Sequence, residues 1–345
     1  MRNTLGIPLK FIGPVKICGP ILDEEIKVPL STFETTLFPS VSRGAKVSRA
    51  SGGIHTVIFD DKMTRSILVE TKSVIRAYEI VEELKKQRPI MKEIVEKSSR
   101  FAKWIDYTIQ VVGNLIFIRF ELETGDASGH NMVTKAAEYL MNWLLESYPD
   151  LTYGSISGNI CTDKKVSSVN AILGRGKYTV SEMIIDRETC TSLLRTTPEK
   201  IVELNVKKNL IGSIVSGGVR SANAHFANIL LAMYLATGQD GANIVEGSQG
   251  IVHAEVRDEG LYFSVTLSNI IVGTVGHGKH HPAIQETLEL LGCLEERAPG
   301  ENAKRLAAII SATTLCGELS LLAAQTNPGE LVASHMLYER QEKDR

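Results

Sequence analysis

The sequence predicts an α+β protein: a large α/β domain built round a long central helix, with an inserted ferredoxin-like (split βαβ) domain. Three observations carry this. Residues 66 to about 155 read strand, helix, strand, strand, helix, strand, the order of the split βαβ unit. After residue 165 the composition shifts toward small residues and long helical stretches. A chain of 345 residues is also long enough for two domains, or for one large domain carrying an insertion. The expected boundaries are 1–65 and 156–345 for the large part, and 66–155 for the insertion.

Each element has its own signal. The first 60 residues are rich in Gly, Pro and short β-like runs such as Val15–Cys18 and Thr56–Phe59. Ser66–Glu70 reads as a short apolar strand, and Val74–Lys86 has helical spacing at Val74, Ala77, Ile80, Val81 and Leu84. A second helical piece follows Pro89, a residue suited to a first turn. Trp104–Val112 and Leu115–Leu122 flank Gly113-Asn114, a two-residue hairpin signal. Asn131–Glu146 is helical, with Met132, Ala136, Ala137, Leu140 and Leu144 on one side. Ser213–Thr237, dense in Ser, Gly and Ala before an Ile-Leu-Leu run, is where the buried central helix is expected. Val252–Ile271 supplies strands, and Pro282–Leu291 and Ala303–Ala324 supply further helices.

Composition excludes several function classes. With 38 basic and 40 acidic side chains, the formal charge is −2, which gives no general attraction to nucleic acid or an anionic membrane. The best membrane-helix candidate, Leu306–Ala324, is interrupted by Gly317 and Glu318, and Met1-Arg2-Asn3 opens no signal peptide. Five widely spaced cysteines without a C-x-x-C pair read as reduced thiols. A cytoplasmic location is expected, without nucleic-acid or membrane partners.

Several segments ask for chemistry. Gly273–Lys279 satisfies the first seven positions of a phosphate loop, but His280 stands where a Ser or Thr should hold Mg²⁺. A Gly-rich turn carrying Gly276, Gly278 and Lys279 still suits a pyrophosphate, whereas NTP hydrolysis is disfavoured. His277, His280 and His281 are too close in sequence to converge on one ion, so no metal is expected. No G-x-G-x-x-G follows a strand, so a nicotinamide cofactor needs another kind of site. Cys161-Thr-Asp163-Lys164-Lys165 follows the small polar run Ser157-Gly158-Asn159; it reads equally as a solvated turn or as a ligand-contacting loop. Asp240 closes a helix at the end its macrodipole disfavours, which points to a functional partner for it. His225 and Asn228, three residues apart, form a polar site wall.

Taken together these segments resemble the 3-hydroxy-3-methylglutaryl-CoA (HMG-CoA) reductases of eukaryotes and archaea. The likeness is carried, in order, by Ser99-Arg-Phe101, Thr124-Gly-Asp-Ala127, Ser157-Gly-Asn-Ile-Cys-Thr-Asp-Lys-Lys165, Gly174-Arg-Gly-Lys177, Asn205-Val-Lys-Lys-Asn-Leu210, Asn223-Ala-His-x-Ala-Asn228, Gly238-Gln-Asp240 and Gly273-Thr-Val-Gly276. It runs from Asn3 to Ser334-His335-Met336.

The resemblance implies reduction of a thioester through an aldehyde to an alcohol, giving mevalonate and CoA from HMG-CoA with two nicotinamide cofactors consumed. It implies Glu34, Lys164, Asp240 and His335 as the catalytic set. Lys164 would stabilise charge on the substrate oxygen, Asp240 would pair with Lys164 and keep a proton on Glu34, and His335 would protonate the CoA thiolate. Arg65, Ser157, Lys165 and Lys208 match positions that hold the acyl group, Asp163, His225 and Asn228 the surrounding wall, and Arg43 a position near CoA. Ser99, Arg100, Phe101, Asp126, His130 and Asn131, with Gly276, Gly278 and Arg340, match the cofactor region. NADPH is the expected cofactor; Glu339 beside Arg340 leaves NADH open. Thr35 stands after Glu34 where the family usually has Gly. The resemblance also implies a homodimer or tetramer with active sites at the subunit interface. The alternatives are a non-catalytic CoA-binding paralogue and a phosphate-loop NTPase.

Overall fold

The computed structural model describes residues 6–340, the side chains of residues 334, 335 and 338–340 excepted. Nine strands are named in chain order: β1 (Leu9–Cys18), β2 (Glu24–Ser31), β3 (Ile54–Glu70), β4 (Lys103–Val112), β5 (Leu115–Glu123), β6 (Thr152–Ile156), β7 (Gly176–Asp186), β8 (Gly250–Arg257) and β9 (Gly260–Ile270). The first four helices are α1 (Leu37–Ala50), α2 (Val74–Leu84), α3 (Arg88–Ser98) and α4 (His130–Ser147).

β3 is the hinge of the architecture. The sequence suggests a short strand from Ser66, but the strand begins at Ile54 and runs through both sheets. Its first half pairs with β7 (His55 to Lys62) and with the end of β1. Its second half pairs with β5 from Met63 to Glu70 and with β6 from Ile67. The charged and polar stretch Asp60-Asp-Lys-Met-Thr-Arg65 hides this continuity, because its alternation is broken where the strand changes sheets. The second half builds the sheet order β4-β5-β3-β6, with α2, α3 and α4 on one face, as a split βαβ unit requires. The first half belongs to the other sheet, β2-β1-β3-β7-β9-β8.

Two apolar cores result from this division. One, with Ile67, Ile80, Ile118 and Leu140, lies between the second sheet and its helices. The larger one surrounds the helix Glu301–Gln325. This is the central helix, and it corrects the expectation placed on Ser213–Thr237. That region, preceded by the π-type helical stretch Asn205–Gly212, instead begins with a short turn to Val215 and an irregular stretch, and ends in the shorter buried helix Phe226–Ala236. Gly217, with φ of +73°, ends the helical run, and Asn223 steadies the start of the buried helix by accepting from Phe226 N–H at 3.2 Å.

Glu301–Gln325 is long and apolar enough by length and composition to cross a membrane, yet 94% of its most apolar window is buried inside the protein. Ala, Gly, Ser and Thr along it permit close approach of its neighbours. Ser311 binds Thr179 at 3.0 Å and Ser181 at 2.8 Å on β7, so the buried hydroxyls satisfy one another. Gly317 abuts Ile229 of the helix Phe226–Ala236, and Gly44 of α1 crosses against Cys316.

That last crossing leaves no room for a methyl group: a Cβ on Gly44 would lie 2.2 Å from the Cys316 carbonyl oxygen. Gly44→Ala is therefore expected to destabilise the chain by about 1–3 kcal/mol through overpacking, although Ala favours helix. A lowered urea midpoint at unchanged slope checks this; an unchanged or raised midpoint contradicts the close crossing.

Candidate active site

Residues 157–167, between β6 and the short helix Ser168–Leu173, carry the first half of the site. Three of them, Asn159, Thr162 and Lys164, have left-handed φ values of 61°, 42° and 56°. Each such non-Gly residue costs about 1 kcal/mol or more, so the surroundings must hold the loop. They do so from both ends. Ser167 N–H donates to Gln249 Oε1 at 3.2 Å, and Gln249 Nε2 donates to Ser167 O at 3.0 Å. Cys161 is buried, with Sγ within 3.3 Å of Ser66 and 3.5 Å of Ser157.

The strongest anchor is a buried charge network that sequence reasoning missed. Arg175, fully buried between Gly174 and Gly176, pairs with Glu246 at 2.9 Å and with Asp163 at 2.9 Å. Glu246 Oε1 also accepts from Asn243 Nδ2 at 2.9 Å and from the Lys164 backbone N–H at 3.1 Å. Burial pushes the Glu246 carboxyl up, and the Arg175 guanidinium opposes that push. The available signal was Gly174-Arg-Gly176, an Arg between two glycines with φ of +80° and +93°.

Lys164 and Asp240 meet at 2.6 Å, and both remain exposed to solvent, by 40% and 45%. Asp240 does not close the preceding helix, which ends at Ala236; it caps the start of the turn Gly241–Asn243, accepting from Ala242 N–H at 3.0 Å, a place that suits an acid. The hydrogen bond to Asp240 raises the Lys164 ammonium above its ordinary value. Partial burial works against the Asp240 carboxylate, but Lys164 and the Ala242 amide outweigh it and hold it below the usual range. The pair is therefore ionised at neutral pH, a fixed cation open to a ligand.

The split βαβ unit reaches this loop through α4. Arg65 lies 3.5 Å from Asp163 and donates to Thr134 at 2.9 and 2.6 Å. His130, at the start of α4, lies 3.7 Å from Asp163. Burial, reinforced by Arg175, lowers its ring to about 4, so it is neutral at pH 7. Lys165 is exposed, with Nζ on the Asp163 carbonyl at 3.0 Å.

The turn Gly273–Gly278 packs against Asp126–Ser128. Thr274 N–H donates to Asp126 O at 2.8 Å, and a Cβ on Gly273 would lie 2.3 Å from Ser128 N. Asp126 itself caps the central helix, accepting from Gly300 and Ala303 N–H at 2.9 Å each. Gly276 faces open space, whereas a Cβ on Gly278 would lie 3.3 Å from the Gly238 carbonyl oxygen; Asn131, in the first turn of α4, is exposed. Lys279 corrects the phosphate-loop reading: it is turned inward and buried, its ammonium on the Gly238 carbonyl. Burial lowers it to about 8. The three histidines of this turn are exposed, and among the described residues no group of metal-ligating side chains converges. Ser99, Arg100 and Phe101 form a separate turn in which Arg100 and Phe101 are exposed, with Arg100 over the Phe101 ring at 4.6 Å.

Glu34, Arg43, His225 and Asn228 line a different feature, a cleft of about 850 Å³ whose wall also includes Lys46 and Arg195. His225 Nε2 lies 2.9 Å from Gly317 O; a carbonyl only accepts, so the neutral ring carries its proton on Nε2. Glu318 of the central helix accepts from Ala224 and His225 N–H, with burial raising its carboxyl to about 7. Burial lowers the Lys208 ammonium, which Glu318 opposes. Among the described residues no hydrogen bond or ion pair joins Glu34 to Lys164 or Asp240, so the expected coupling of the three is not made within one chain. The side chains of His335 and Arg340 lie outside the described residues; their backbones belong to the helix Glu330–Arg340 beside this cleft.

Comparison with known proteins places this geometry. The family model "Hydroxymethylglutaryl-coenzyme A reductase" matches residues 3–340. A 3-hydroxy-3-methylglutaryl-coenzyme A reductase of Pyrococcus abyssi is 46% identical, over 94% of this chain and 80% of its own length. One from Methanocaldococcus jannaschii is 42% identical, over 100% and 84%. Reductase 1 of Oryza sativa subsp. indica is 43% identical, over 98% of this chain and 64% of its own length. A solved class II reductase from Streptococcus pneumoniae, bound to NADPH in open conformations, superimposes with a TM-score of 0.75 at 18% identity, over 94% and 86%.

The mostly buried His130 ring has a pH consequence. Unfolded, it binds a proton near pH 6.5; folded, it does so only near 4, so its contribution is lost as pH falls between these values. Relative to wild type, His130→Gln should therefore gain stability from pH 6.5 to 4, by up to about 3 kcal/mol. Denaturant midpoints at pH 7, 5.5 and 4.5 check this, and a pH-independent difference contradicts it.

Proposed function

The chain belongs to the hydroxymethylglutaryl-coenzyme A reductase family, and we infer that it reduces HMG-CoA to mevalonate and CoA with two NADPH. The observation that carries the reading is Lys164 on Asp240, solvent-open on a loop locked by the buried Arg175, in a chain matching the family from 3 to 340.

NADPH supplies the two hydrides. The residues suited to hold it are the amides and side chains opening α4 (His130, Asn131) and the turn of Gly276 and Gly278, where the open backbone at Gly276 suits a pyrophosphate. Ser99, Arg100 and Phe101 extend that surface, and Arg340 attracts a 2′-phosphate.

Charge develops on the thioester oxygen as its carbon is reduced. The Lys164 ammonium, held at a fixed place by Asp240, stabilises it without reorganising. The CoA thiolate then leaves and takes its proton from His335. The aldehyde carbon is reduced next, and its oxygen takes a proton from Glu34. Arg65, Ser157, Lys165 and Lys208 hold the acyl carboxylate, with Asp163 in the surrounding wall. His225, Asn228 and Arg43 line the CoA side in the 850 Å³ cleft.

Glu34 is not beside Lys164 within one chain, so the complete site needs a second copy, which favours a homodimer or a larger oligomer. The protein is read as soluble, working in the cytoplasm.

Two measurements test this. Loss of reduced-nicotinamide absorbance on adding HMG-CoA should consume two NADPH per mevalonate, faster than with NADH; Lys164→Ala should lower kcat by about 10²–10³ or more. Full rate in that variant overturns the mechanism. Co-expressed Lys164→Ala and Glu34→Gln chains should recover part of the activity each lacks, and no recovery contradicts the shared site.

A further inference from the structure

The cleft read as the CoA site contains an anion of its own. Glu330, in the first turn of the helix Glu330–Arg340, lies 2.7 Å from Arg43. Its second oxygen accepts from Asn327 Nδ2 at 2.9 Å. Arg43 is further fixed by Ser320, its Nε donating to Oγ at 3.0 Å. The guanidinium is thus presented from the α1 face with three of its five N–H donors engaged, on Ser320 and Glu330, and the pair is mostly shielded from solvent. Lys46 and Arg195, the other cations of the wall, have no ion pair among the described residues. One cation of three is therefore neutralised, and by a residue on the helix that borders the cleft.

We propose that Glu330 sets the affinity of this cleft for phosphate-bearing thioesters, occupying Arg43 when the cleft is empty and yielding it to a phosphate or pyrophosphate of CoA. The proposal rests on the reading of the cleft as the CoA site. Its chemistry is exchange of one oxyanion for another on a planar guanidinium, which suits carboxylate and phosphate alike. Binding must break the Arg43–Glu330 pair, so part of the binding free energy goes into displacement. Release of Glu330 also frees the start of its helix from α1. Occupancy of the cleft and position of that helix are coupled through this one contact.

The test uses the full-length protein and isothermal titration with two probes: CoA, and pantetheine, which lacks the nucleotide phosphates. Glu330→Gln keeps the size of the side chain and an acceptor for Asn327 but removes the charge. It is expected to lower the Kd for CoA about threefold or more at low salt while leaving pantetheine unchanged. In an Arg43→Gln background the same change should bring no gain, because the cation competed for is gone. If wild type binds CoA and Glu330→Gln binds it equally or more weakly, the proposal is overturned and the CoA reading stands. If pantetheine tightens as much as CoA, the effect is not phosphate competition, and the proposal also falls. If neither protein binds CoA while both give the wild-type circular-dichroism melt, the reading of the cleft fails and takes the proposal with it.

Discussion

The buried guanidinium of Arg175 is the constraint on which the rest of the site depends. It carries a full charge at zero exposure, so it must be matched, and Glu246 and Asp163 match it from two different segments. Removing one partner of such a pair typically costs about 3–5 kcal/mol, whereas replacing the whole pair by apolar groups is often neutral. The network is therefore better explained by what it specifies than by stability. It fixes the height of the loop 157–167 over the sheet, and it fixes the turn Ile244–Gly247 that comes after Asp240. Lys164 and Asp240 meet because both of their supports are tied to the same buried cation.

The same logic links the two sheets. β3 runs through both, so Arg65 on that strand, Thr134 and His130 on α4, and Asp163 on the loop share one small volume at the junction. The inserted unit is thus joined to the loop by side chains as well as by chain continuity. Asp126 adds a second tie, capping the central helix from the segment that leads into α4.

Much of this is legible in the sequence. Helical and strand periods locate α2, α4, the β4–β5 hairpin and the helix Pro282–Leu290, because each has one buried and one wet face. The features that escape do so for identifiable reasons. β3 reads too short because Asp60–Arg65 serves two sheets and has no single apolar face. The central helix is misplaced because Glu301–Gln325 is buried on every side and so lacks periodicity, while the small residues of 213–225 imitate close packing. Lys279 suggests a phosphate ligand from spacing alone, yet it faces Gly238 inside the protein. The candidate residues themselves come from motif likeness; Arg175, Glu246 and Glu318 escape because a buried charge shows its role only through partners distant in the chain.

The most direct test replaces the buried pair outright, as Arg175→Met with Glu246→Met, and reads kcat for HMG-CoA reduction beside the thermal melt. The account expects a folded protein with a lowered melt, since an apolar pair fills the space while Asp163, Asn243 and the Lys164 amide lose a partner. It expects kcat to fall by about a hundredfold, because Lys164 loses its fixed position. Wild-type turnover in this double variant would show that the loop is held some other way and would contradict the central role given to Arg175.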